Sequence, residues 1–288
     1  MSLNNRLINT GGGGAFDVAN FTPINHFLFT TGGDVYGGVW STNGLNYYIA
    51  QGQGTTGVYQ FTATTAWDVT TLSYSGNYNS MSPSPFSTSS NGIEISSDGS
   101  YFWTFRREWN GSSFTCGTFR WTLSTPYDIT TAGGRTNFFT SGNNQTMIAQ
   151  KWYDSGSYYH VLWTGNNHRV YYCPTPYSLS GATSIISESV TQTATDVSMT
   201  PDGLFYCWVN SNSNNDNMTF YQFPLTTPFD LDTRTTTTNF TYSRLDLPSP
   251  PSTVRTAHGI QISPDGTKAY YLSAQGRTLV EFDTNASF

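Results

Sequence analysis

The residues able to do chemistry are few in this chain and lie far apart. Its four histidines, His26, His160, His168 and His258, are assigned to different units of the repeat laid out below. Neither a Gly-X-Ser-X-Gly elbow nor a His-Glu-X-X-His pattern accompanies them. Asp98, Asp202 and Asp265 recur in equivalent Asp-Gly turns, where a carboxylate more often serves nearby backbone amides than a reaction. A calcium loop needs alternating oxygen ligands, and no Asp-X-Asp-X-Asp run is present. Glycoside hydrolysis needs two carboxyl groups, which distant positions can supply; Glu94, Glu108, Glu188 and Glu281 are a thin stock for it. Cys116, Cys173 and Cys207 lack metal-ligand spacing and read as small buried hydrophobes rather than a disulfide or a thiol nucleophile. The expectation is a protein without catalytic residues, metal or cofactor.

Composition narrows the partners. Charged residues make up 10% of the 288 residues and aromatics 16%, against about 25% charged in an ordinary globular domain. The surface must therefore be built from Ser, Thr, Asn and Gly, a make-up that tolerates salt and suits secreted or particle-borne β proteins. Only 12 Lys and Arg are present, scattered, with a net charge of −6. Nucleic acid, whose affinity rests on neutralising phosphates, is not an expected partner. No apolar run approaches the roughly 20 residues of a membrane helix, and Met1–Arg6 opens no signal-peptide core. Synthesis in a cytosol, with exit only inside a particle, is the expectation.

The elements that must position any site announce themselves by repetition. Turn glycines Gly44, Gly99, Gly156, Gly203 and Gly266 close the segments Ser-Thr-Asn-Gly, Ser-Ser-Asp-Gly, Tyr-Asp-Ser-Gly, Thr-Pro-Asp-Gly and Ser-Pro-Asp-Gly, spaced by 55, 57, 47 and 63 residues. A second marker keeps step: Phe16-Asp17-Val18, Trp67-Asp68-Val69, Tyr127-Asp128-Ile129, Tyr177-Ser178-Leu179 and Phe229-Asp230-Leu231. A period near 50 residues built from short strands reads as a propeller blade.

Each unit lays out as four strands, a to d, from hub to rim. Strand a alternates, with Ile93 and Ile95, Val197 and Met199, or Ile260 and Ile262 on one face packed between blades and Glu94, Ser198 or Gln261 on a wetter one. The Asp-Gly turn follows, its glycine free to adopt positive φ. Strand b spans 45–50, 101–105, 158–163, 204–209 and 268–273; strand c includes Val58–Phe61, Thr118–Trp121, Val170–Cys173, Phe220–Phe223 and Leu279–Phe282. The aromatic-Asp-aliphatic corner comes next, its ring plugging the blade edge and its Asp bonding turn amides. The last unit stops after strand c, while an orphan corner at Phe16 and an orphan strand at 26–30 open the chain. If that strand completes the last blade, both edges vanish. The fold class expected is all-β: a five-bladed propeller of four-stranded antiparallel blades, closed by the N-terminal strand, in one domain over 15–288.

The b–c and d–a connections share one face of such a disc and hold the irregular insertions 79–91, 107–115, 210–217 and 243–256. Loops on a rigid scaffold commonly bind, so Tyr78, Met81, Phe86, Arg107, Trp109, Asn110, Arg244, Asp246 and Arg255 are candidate contact residues. Tolerated drift of Ser/Pro/Asn loops is the alternative. A glycine-rich arm over 1–14, mobile when alone, is a candidate anchor through Leu3, Arg6, Leu7 and Ile8. The third unit departs from the pattern, with Tyr177-Ser-Leu at its corner and Lys151-Trp152 in strand a, and is expected to be distorted or specialised.

The segments Ile262-Ser-Pro-Asp-Gly-Thr-Lys-Ala-Tyr-Tyr271 and Met199-Thr-Pro-Asp-Gly203 resemble the Ser-Pro-Asp-Gly repeats of YVTN and WD40-like propellers, from about residue 16 onward. Their pairing with Leu123-Ser-Thr-Pro-Tyr-Asp-Ile-Thr-Thr131 resembles propeller proteins of tailed, especially marine, bacteriophages, and Leu7-Ile-Asn-Thr-Gly-Gly-Gly-Gly14 is similar to arms of phage structural proteins. The resemblance implies a non-enzymatic virion component, a capsid decoration or tail-associated adhesion protein. It would bind other virion proteins through the arm and a host-surface glycan or protein through the loop-rich face. A carbohydrate-binding, lectin-like propeller and a glycan-processing enzyme with paired acids near the central channel are the alternatives.

Overall fold

The computed structural model describes residues 16–30, 32–51, 57–80, 90–109, 114–141, 147–163, 167–189, 194–210, 216–247, 251 and 257–286. The arm residues Leu3, Arg6, Leu7 and Ile8, and Met81, Phe86, Asn110 and Arg255, lie outside them. Strand β1 (Thr22–Leu28) comes first. Blade one follows as β2 (Val35–Trp40), β3 (Asn46–Gln51), β4 (Gly57–Ala63) and β5 (Leu72–Asn79). Blade two is β6 (Ser90–Ile95), β7 (Tyr101–Trp109), β8 (Phe114–Leu123) and β9 (Ala132–Ser141). Blade three is β10 (Met147–Tyr153), β11 (Tyr158–Trp163), β12 (Asn167–Tyr172) and β13 (Thr183–Ser189). Blade four is β14 (Ala194–Met199), β15 (Phe205–Asn210), β16 (Asn217–Pro224) and β17 (Thr238–Ser243). Blade five joins β18 (Ala257–Ile262), β19 (Lys268–Ser273) and β20 (Thr278–Asp283) to β1 as its outer strand.

Each sheet is an antiparallel meander, and the inner strands touch in the cycle β2, β6, β10, β14, β18 and back to β2. The ring is therefore closed, and its seam lies within blade five, where Pro23 faces Phe282, His26 faces Val280 and Leu28 faces Thr278. The closing strand runs over 22–28 rather than the expected 26–30. Pro23 argues against a strand in sequence, but at an outer edge its missing N–H deprives no ladder, and a bulge between Pro23 and Asn25 absorbs the misfit.

Five apolar clusters correspond to the five blade-to-blade seams. Ile93, Ile95, Phe102 and Trp121 of blade two, for example, pack on Val39, Tyr48 and Val58 of blade one. The two repeating markers turn out to touch. Trp67, Tyr127, Tyr177 and Phe229 all adopt positive φ and donate their amides to the carbonyls of Gly44, Gly99, Gly156 and Gly203. A Cβ on Gly44, itself at φ +69°, would sit 2.3 Å from the Trp67 ring. The glycine thus provides both the turn and the floor for the corner aromatic. The corner aspartates do as expected: Asp17, Asp68, Asp128 and Asp230 accept from the amides of Ala19, Thr70, Thr130 and Asp232. In blade three Ser178 replaces the aspartate and its hydroxyl accepts from the Ser180 amide at 3.2 Å. That blade keeps all four strands, but its a–b turn departs from the others, with Asp154 and Ser155 at φ 46° and 50°.

Blades are also latched by polar side chains of strand c. Gln222 accepts from Val18 N at 2.8 Å and donates to Phe16 O at 2.9 Å; Glu281 accepts from Val69 N at 3.0 Å, and Gln60 from Ile129 N at 3.3 Å. Each reaches the corner of the next blade round the ring. Gln222 thereby pins the N-terminal corner on which closure depends. Replacing Gln222 with Leu removes both of its bonds from a buried site and is expected to cost about 2–3 kcal/mol. Hydrogen exchange should show residues 16–22 losing protection first; protection unchanged there would refute the latch.

Candidate functional site

Of the contact residues proposed for the loop-rich face, the described ones lie on separate elements. Tyr78 lies in β5 with its ring 4.8 Å from that of Tyr59, whereas Arg244 and Asp246 form a single 3-10 turn after β17. Arg244 donates to Asp216 Oδ2 and to Pro251 O, both at 3.0 Å, and Asp246 accepts from Ser243 N at 2.7 Å. These charges stabilise their own loop. Arg107 and Trp109 lie in no irregular insertion: β7 and β8 extend as a paired hairpin, with Arg107 opposite Cys116 and Trp109 opposite Phe114. Aromatic and β-branched residues on both arms favour that pairing.

The hub carries what the sequence reading did not assemble. Counting back from the turn glycines, the position five residues earlier is Val39, Glu94, Lys151, Ser198 and Gln261, and seven earlier it is Gly37, Gly92, Ala149, Asp196 and Gly259. Four small residues in the latter set let the inner strands crowd the axis; a Cβ on Gly37 would lie 2.6 Å from Gly92 Cα. Asp196 is the exception, and its carboxylate fills the space. Lys151 Nζ, from the neighbouring strand β10, lies 3.6 Å from Asp196 Oδ2 and 3.6 Å from Glu94 Oε2. The strand face expected to be wet is in fact buried, with Glu94 and Lys151 only 7% and 6% exposed. The signal was available: a glutamate and a lysine share a position that is uncharged in the other three blades, and an aspartate stands where the other four carry glycine or alanine.

Above this triad opens a cavity of about 360 Å³ on the face of the a–b turns and corners, with Glu94 and Lys151 at its base and Trp67, Tyr177 and Phe229 from three corners around it. Asp196 instead lines a separate space of about 10 Å³ bounded by Gly37, Gly92 and His258. Burial pushes the Glu94 carboxyl up to about 7 despite the pull of Lys151, and it raises Asp196 as well. Burial alone would lower Lys151, but Asp196 and Glu94 more than reverse this, so the ammonium is firmly held. Glu94 Oε2 is buried without a hydrogen-bond partner.

The other candidates are structural. Asp98, Asp202 and Asp265 each accept a hydroxyl bond at 2.6 Å from Ser96, Thr200 and Ser263, and each caps an amide two residues on. Burial would raise Asp98, yet the bonds from Ser96 and Ser100 hold it below its ordinary value. Glu281 is spent on Val69 N and on Lys268 Nζ. Cys173 and Cys207 are free and buried, and burial pushes the Cys173 thiol up to about 11. Side chains of Cys116, Glu108 and Glu188 lie outside the description. Among the described residues no group of three metal-ligating side chains converges.

The histidines are not in different blades. His160 (β11) and His168 (β12) share blade three with ring centres 5.5 Å apart, and His26 and His258 share blade five. His168 stacks on Tyr206 of blade four, and neither ring nitrogen of His160 has a partner. Burial lowers both, His168 to about 3. With folded values below the unfolded 6.5, the unfolded chain takes up protons first on acidification. Stability present above pH 6.5 is therefore expected to fall as pH drops below it. Because Glu94 gains over the same interval, the check is a difference: the urea midpoint of wild type relative to His168→Phe should fall from pH 7.5 through 6 to 5, and a difference that stays constant would refute it.

No family model and no curated protein matches the chain.

Proposed function

We propose that this protein is a non-enzymatic recognition propeller carried on a bacteriophage particle, taking its ligand at the hub cavity. The observation that carries recognition is the 360 Å³ cavity itself, walled by aromatics and floored by Glu94 and Lys151, a size and lining suited to a small ligand. It sits among short, internally bonded turns, so it needs no ordering on binding. The particle assignment rests on the resemblance of Leu123–Thr131 and of the arm to phage proteins. A non-catalytic role is supported by the separation of the acids: a glycosidase needs two carboxyl groups on one substrate, whereas Glu94 faces the large cavity and Asp196 the small one, with Lys151 between them.

Fluorescently labelled protein, incubated with a panel of bacterial isolates and read by flow cytometry, is expected to decorate some of them. The same protein should release no chromophore from aryl glycosides. Release that disappears in Glu94→Gln would establish the enzyme reading instead. Immunogold labelling of particles should find the full chain and not a chain lacking residues 1–14; incorporation of the shortened chain would reject the arm as anchor.

A further inference from the structure

We propose that the hub cavity binds an uncharged, polyhydroxylated ligand the size of one or two sugar rings; this rests on the recognition reading above and names its ligand class. The first ground is an incompletely satisfied floor. Glu94 is more than nine-tenths buried, lines the cavity, and its Oε2 has no hydrogen-bond partner. Lys151 Nζ stands 3.6 Å from that oxygen and from Asp196 Oδ2, well beyond the roughly 2.7–2.9 Å of a charge-assisted hydrogen bond. A hydroxyl group placed there both donates to the carboxylate and accepts from the ammonium, closing both contacts at once.

The second ground is charge. Lys151 is balanced by Asp196 directly beneath it, so the floor offers no uncompensated cation for an acidic ligand, which would also face Glu94. A ligand ammonium would meet Lys151 at the same short range. Neutral hydroxyls avoid both penalties. The third ground is the wall: the corner residues Trp67, Tyr177 and Phe229 are half-buried and border the cavity, offering ring area of the kind that covers the C–H faces of a sugar. Each is held at its position by its bond to a turn glycine, so the walls are preformed.

The test is a titration followed by saturation-transfer NMR and calorimetry with the methyl glycosides of glucose, galactose, mannose and N-acetylglucosamine, alongside glucosamine and glucuronate. At least one neutral glycoside is expected to bind. Glu94→Gln, which keeps the shape of the floor, should weaken it about tenfold, equivalent to one charge-assisted hydrogen bond of about 1.4 kcal/mol. Thr42→Trp, at an exposed rim position lining the cavity, should abolish binding while leaving the thermal melt unchanged, since it touches none of the ion cluster. Binding of glucosamine or glucuronate alone, binding that survives Thr42→Trp, or silence across the whole panel would overturn the proposal. Cell decoration by labelled protein separates the two readings. If Thr42→Trp still decorates cells, recognition stands and this site falls; if the wild-type chain decorates none, the recognition reading itself has failed.

Discussion

A chain beginning at Gly32 is expected to yield no folded monomer, whereas one beginning at Ala15 folds. The first deletion removes β1, baring the edge of β20, together with Phe16, Val18, Phe21 and Phe29, which are all buried. At about 1.5–3 kcal/mol per large buried side chain, the loss is roughly 6–12 kcal/mol. That rivals the whole stability of an ordinary domain, about 5–15 kcal/mol. An open edge also invites pairing between copies, so soluble aggregate is the expected product. Size-exclusion chromatography and circular dichroism read the outcome. A synthetic peptide of residues 16–30 added during refolding should restore a monomer, and a well-folded Gly32 chain without it would disprove the closure.

Replacing Lys151 with Met is expected to cost about 3–5 kcal/mol at pH 8, because it strands two buried carboxylates beside each other. Denaturant midpoints should show the deficit shrinking at pH 5, as Glu94 and Asp196 take up protons. Glu94→Gln should act in the opposite direction. The folded carboxyl sits at about 7 against 4.5 for the free group, so its contribution is complete below pH 4.5 and is lost as pH rises through 7. Removing the charge relieves that loss, by up to about 3 kcal/mol at pH 8 and by nothing below pH 4.5. The double variant should recover part of the Lys151→Met deficit. A Lys151→Met protein within 1 kcal/mol of wild type would mean that the triad carries no weight.

The hub shows where reading a sequence stops. Lys151 stands out as an oddity of the third unit, yet the expectation drawn from it goes no further than a distorted or specialised blade. The blade keeps its four strands because its corner retains the contact between Tyr177 and Gly156 and because Ser178 takes over the amide bond that aspartate makes elsewhere, while the departure is confined to its a–b turn, where Asp154 and Ser155 take positive φ. The histidines were misplaced for a related reason. His160 and His168 are eight residues apart, and only the hairpin between β11 and β12 folds them into one sheet. On the loop-rich face, the candidate contact residues Arg244 and Asp246 have partners, Asp216 and Ser243, within the same blade, a pairing the sequence alone did not show.

What the sequence determined by itself is the blade, its count and its closure. Alternation of period two, the Asp-Gly turn and the aromatic corner are local, each set by sterics and hydrogen bonds within a few residues, and their repetition made them legible. The surplus strand at one end and the deficit at the other could be matched by counting. What only the tertiary structure decided is which charges meet. Glu94, Lys151 and Asp196 are separated by 57 and 45 residues, and they come together because the inner strands of three blades converge on one axis. Burial there, which no local pattern records, is what lifts Glu94 toward neutrality and turns three scattered residues into the floor of a cavity.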